Sequence, residues 1–175
     1  MSADHTHVPI VPREKLDFGL HGDIPRYWMD NDAFKTRFFD AMSTLFPQGE
    51  KFFITSVREF KDEVTDPKLQ AEVRDFTRQE AQHSMIHRQF NDRLAAQGVD
   101  IESIDRQLAE HFFERMPRFT SRLQRLSATA AFEHEFNLLG LPDGLPVLLS
   151  APGVCRRGPG GVAPHPVRRR DFGRD

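Results

Sequence analysis

The chain has 175 residues, 38% hydrophobic and 29% charged, which suits one domain with a real core. A formal net charge of −2 excludes a general attraction to nucleic acid or an anionic membrane, and no run is long and apolar enough to span a bilayer. A single cysteine, Cys155, excludes an internal disulfide framework and, without a basic-then-apolar leader, predicts a cytoplasmic protein.

Residues 1–30 read as an irregular docking segment. His5 and His7 fall in its mobile end and are not expected to bind metal. Ile24-Pro25-Arg26-Tyr27-Trp28 holds the only Trp and the only Tyr, expected to pack as rings against a helical bundle. Residues 31–141 carry the bundle. Asp30 or Asp32 can cap the first helix. Its seam runs Thr36, Phe39, Ser43, Phe46, Glu50, Phe53, Val57, Phe60, Val64, in helical steps of three and four. Pro47 and Gly49 are expected to bend or break the helix just before Glu50. That leaves Glu50 either as a ligand beside irregular backbone or as a charge partner for a helix N-terminus.

Asp66-Pro67 reads as an N-cap with a first-turn proline, and Gly98 as a stop. Between them a second seam runs Leu69, Val73, Phe76, Glu80, His83, His87, Phe90, Leu94. Its ends are apolar and its middle is ionisable. Buried ionisable groups are costly unless paired or bound to a metal. Glu80-x-x-His83 points a carboxylate and an imidazole the same way, as a di-iron or di-manganese bundle requires. The plainer readings are a solvated surface patch or a histidine satisfied by a core hydrogen bond.

Asp100 caps a third segment, which Pro117 kinks or restarts. Beyond it a seam runs Phe119, Leu123, Leu126, Ala130, Glu133, Asn137, Gly140, with His134 on the adjoining face. A third helix thus carries a third mid-seam glutamate. From Pro142 the helical period ends. Residues 142–175 hold six Pro, six Gly and six Arg. They read as a disordered tail, or as a tail that is not the proper C-terminus.

Several motifs resemble the bacterial predicted metal-dependent hydrolase family. They are Asp-Ile-Pro-Arg-Tyr-Trp at 23–28, Leu-Phe-Pro-Gln-Gly-Glu-Lys-Phe-Phe-Ile at 45–54, Ser-Val-Arg at 56–58, Gln-Glu-Ala-Gln-His-Ser-Met-Ile-His at 79–87 and Thr-Ala-Ala-Phe-Glu-His at 129–134. The resemblance implies an all-α, ferritin-like di-metal carboxylate bundle. It makes Glu50, Glu80, His83 and Glu133 metal ligands, with His87 and His134 as alternative ligands or as groups that support the ligands from behind. It also implies a fourth long helix with Trp-His-x-x-Glu-Glu-x-Glu-His, which this sequence lacks. The expected bundle is therefore incomplete, with three long helices, and a one-nucleotide slip would account for the tail.

The leading reading is a metal-dependent hydrolase impaired by loss of the fourth helix. A di-iron oxygenase or oxidase, using the same ligands on dioxygen, is the alternative within enzymes. A non-catalytic helical scaffold, its buried acids paired with Arg58, Arg78 or Arg88, is the alternative outside them. The mixed ligands suit Fe or Mn before Zn. The expected partners are a small-molecule substrate and, across the open face of the bundle, a second copy of the chain.

Overall fold

A computed structural model of the chain describes residues 17–20 and 22–138, with side chains as far as His134. The expectations for His5, His7, Cys155 and the tail lie outside these residues. Every regular element among the described residues is helical, as the seams predict. Helix α1 spans Ala33–Arg58, α2 Pro67–Ala96, α3 Ile101–Ala109 and α4 Arg122–Leu138. Each of the first three starts on an aspartate. Asp32 accepts from the Lys35 amide, Asp66 from that of Lys68, and Asp100 from that of Ser103. The third segment runs on from α3 through a π-helical turn, Glu110–Arg115, into a 3-10 turn at Met116–Arg118. The chain restarts beyond Pro117 as a separate helix, α4.

Helix α1 is central, since α2, α3 and α4 all pack on it. Its contacts with α2 pair Ser43 with Asn91 and Pro47 with Ser84, so the two helices run antiparallel. One apolar cluster gathers Trp28, Ile86, Phe90 and Leu94 near one end of this pair. Trp28 meets Phe90 edge to face, with centroids 5.7 Å apart. Its indole Nε1 donates to Asp40 at 3.0 Å. Asp40 also accepts from Arg37 at 2.7 Å and from Arg93 at 3.1 Å, so this buried carboxylate is fully engaged. At the other end of α1, Phe52 stacks on Phe112 at 5.2 Å and Phe53 lies 6.0 Å from Phe132.

Two expectations need correction. Helix α1 does not break at Pro47 and Gly49, the second of the two outcomes expected there, but runs on through both. A proline lacks the N–H that would bond the carbonyl four residues back, here that of Ser43. The Asn91 side chain on α2 donates to that carbonyl at 3.0 Å, so it is not left unsatisfied. The seam expected on α4 is also rotated. Phe119 and Leu123 are 84% and 64% exposed and Ala130 faces out, whereas Thr129 is buried. Polar contacts set this rotation: Thr129 Oγ1 lies 2.7 Å from Ser56 Oγ, and Arg125 donates to Glu59 at 2.9 Å.

The Asp40 hub predicts a large stability loss on truncation. Asp40→Ala leaves the guanidinium of Arg93 and the indole N–H of Trp28 without their acceptor. Breaking a buried ion pair from one side costs about 3–5 kcal/mol. Urea unfolding of this variant should show a loss of that size, with secondary structure unchanged before the transition.

Candidate metal centre

The antiparallel packing of α1 on α2 brings the mid-seam ionisable residues face to face. Glu50 and Glu80 are both buried, each 3% exposed. His83, one turn beyond Glu80, is half-buried, and its Nδ1 lies 3.7 Å from Glu80 Oε1. Glu50, Glu80 and His83 each offer a ligand atom, and these atoms all lie within 4.8 Å of one another. One metal ion could be held by such a set.

His87 stands beside this group. It is buried, with Nε2 at 3.8 Å from Glu50 Oε1. Phe46 stacks on its ring at 4.4 Å, and Nδ1 lies 3.1 Å from Ser43 Oγ. Glu133 approaches from α4, half-buried. It is outside the 4.8 Å group, yet its charge is felt at Glu50. His134 is exposed. The structure therefore gathers Glu50, Glu80 and His83, sets His87 against Glu50, brings Glu133 within electrostatic range, and leaves His134 on the surface.

At Glu50, burial and like charge outweigh the nearby arginine. Glu50 is pushed up to about 10, first by burial, then by the Glu80 and Glu133 carboxylates, with Arg88 acting weakly against them. His87 is pushed down to about 3 by burial and by His83. Glu50 Oε2 is buried with no hydrogen-bond partner. A buried acceptor left over among carboxylates and imidazoles is what a cation would satisfy, so the residues present fit a metal.

Asn91 is the residue here that the sequence reading passed over. It is 3% exposed and bonds Ser43 twice, through Oδ1 and Nδ2. Its signal was its spacing, one helical turn after His87 on the same face. A groove of about 440 Å³ lies on the flank of the α1–α2 pair, lined in part by Lys51, Ser84, Met85 and Arg88.

These shifts give the metal-free protein a defined pH profile. Folded Glu50 keeps its proton up to about 10, against 4.5 for an ordinary carboxyl. Its contribution to stability is full below pH 4.5 and is lost as pH rises to about 10, because the unfolded chain releases that proton first. His87 acts in the opposite sense. Between about 3 and 6.5 the unfolded chain holds a proton that the folded ring lacks, so stability rises with pH there. Above 6.5 His87 adds no further slope and that of Glu50 continues. The melting temperature of the metal-free protein should fall as pH is raised from 6.5 towards 10, and Glu50→Gln should flatten that fall.

A family model described as predicted metal-dependent hydrolase matches residues 12–141, which is well over half of the chain. Comparison with curated proteins and with solved structures gives no match. Glu50, Glu80, His83 and Glu133 all lie within the matched span, and the chain belongs to this family of predicted metal-dependent hydrolases.

Proposed function

We propose that this protein is a hydrolase that works with one divalent cation held by Glu50, Glu80 and His83, with Glu133 as a further carboxylate ligand and His87 as a second imidazole. The observation that carries this reading is the buried set itself. Three ligand atoms lie within 4.8 Å of one another, and Glu50 Oε2 is without a partner. A cation bound there supplies Lewis acidity, which makes a water nucleophilic at neutral pH. The chain's own residues do the rest. Glu50 gives up the proton that burial keeps on it, and its repulsion from Glu80 and Glu133 is relieved by the positive charge. Phe46 shields one face of the His87 ring, which keeps water off that side.

The donor set favours iron or manganese over zinc, since carboxylate oxygens outnumber imidazole nitrogens. Glu80-x-x-His83 is the only Glu-x-x-His among the described residues, which supports one cation per chain. The groove lined by Lys51 and Ser84, the sequence neighbours of Glu50 and His83, is of a size for a small-molecule substrate. A cytoplasmic location suits a metal centre without disulfides. Among the described residues no helix is long and apolar enough to cross a membrane.

The test is a calorimetric titration of metal-free protein with Mn(II), Fe(II) and Zn(II), followed by turnover of a panel of esters, amides and phosphoesters. One equivalent should bind, and Glu50→Gln and Glu80→Gln should each abolish stoichiometric binding. Products should carry oxygen from isotopically labelled water, with no dioxygen consumed. Oxygen uptake coupled to turnover would assign the site to oxygenase chemistry instead. Wild-type binding that survives both substitutions would remove the site altogether.

A further inference from the structure

Pro47 lies inside α1, four residues after Ser43, and has no N–H to give the Ser43 carbonyl. Asn91 Nδ2 donates to that carbonyl at 3.0 Å. A carbonyl can only accept, so this bond fixes which end of the Asn91 amide faces α1. Asn91 Oδ1 then lies 2.9 Å from Ser43 Oγ and accepts its hydroxyl proton. A serine has one such proton. The same Oγ lies 3.1 Å from His87 Nδ1, and with its proton already given to Asn91 it can only accept there. The neutral His87 ring therefore carries its hydrogen on Nδ1. Its Nε2 is left as a bare lone pair, 3.8 Å from Glu50 Oε1.

We propose that Pro47, Ser43 and Asn91 form a positioning relay that holds His87 as the Nδ1–H tautomer and presents Nε2 to the Glu50 centre as a ligating nitrogen. This deepens the metal reading of the site and rests on it for the ligating role. The assignment of the tautomer rests on hydrogen bonds alone. Free histidine favours the opposite tautomer, with the hydrogen on Nε2, so the relay makes a distinctive claim. None of the three residues need touch substrate or metal. The proline acts by omission: an ordinary residue at 47 would bond the Ser43 carbonyl within the helix and release Asn91 from its fixed orientation. Partners that orient a metal-ligating histidine typically change affinity by about 10–100-fold when lost.

The experiment is nitrogen-15 NMR of the histidine rings in metal-free protein near neutral pH, paired with metal titration. Wild type should show His87 as the Nδ1–H tautomer. Ser43→Ala should lose that preference, and its Mn(II) affinity should fall by about 10–100-fold. Pro47→Ala should speed hydrogen exchange of the Asn91 side-chain amide, because a new backbone N–H competes for its acceptor. Glu50→Gln should lose metal and keep the tautomer, which separates failure of the site from failure of the relay. An Nε2–H ring in wild type, a pure Nδ1–H ring in Ser43→Ala, or unchanged Asn91 exchange in Pro47→Ala would overturn the relay. An Nδ1–H ring in a wild-type protein that binds no metal would support the tautomer assignment and overturn the ligating role.

Discussion

Glu50 sits in the middle of the helix that every other helix packs against, out of water and facing two further carboxylates. That is the constraint the rest of the structure answers to. An ionised carboxylate there would suffer both desolvation and like-charge repulsion. The folded chain meets this by keeping a proton on Glu50, and a bound cation would meet it in another way. A site of this kind is preorganised by its scaffold, because Glu50 and Glu80 are projected from long, well-packed helices and not from loops.

The two buried acids on α1 show how one helix separates support from chemistry. Asp40 receives the indole of Trp28 and the guanidinium groups of Arg37 and Arg93. Both of its oxygens are bonded, and it ties the segment before α1 to both long helices. Glu50, ten residues on, has an oxygen with nothing to bond and an arginine whose influence ranks last among those acting on it. Burial alone does not distinguish these residues. The partners do, and they are contributed by α2, by α1 itself and by the chain preceding it.

Much of this was legible from spacing. The three aspartate caps, the seams of α1 and α2, and the interruption of those seams by Glu50, Glu80, His83 and His87 follow from helical periodicity with no tertiary knowledge. That α1 continues through Pro47 was not legible, because the Ser43 carbonyl the proline leaves open is met by a partner 44 positions from the proline, Asn91, which no local rule associates with it. The rotation of α4 was missed for a related reason. Its stripe of Phe119, Leu123 and Ala130 has the apolar period, but the Ser56–Thr129 and Glu59–Arg125 contacts decide which face turns inward. Glu133 accordingly reached the neighbourhood of the centre and remained half-buried. Apolar periodicity locates a helix well, and fixes its rotation only where apolar contact is what holds it.

The proline inside α1 also bears on how the chain comes together. A helix with a missing rung at Ser43 is weakest there while it is alone, since both propensity and hydrogen bonding fail at that turn. The rung is completed only when Asn91 arrives from the far end of α2, after both helices and the connection between them are in register. The middle of α1 and the C-terminal half of α2 are thus bound to order together, as one cooperative unit. Any opening that withdraws α2 at Asn91 loosens α1 at its weakest turn, two turns from Glu50. The integrity of the centre is in this way tied to the closure of the whole helical hairpin.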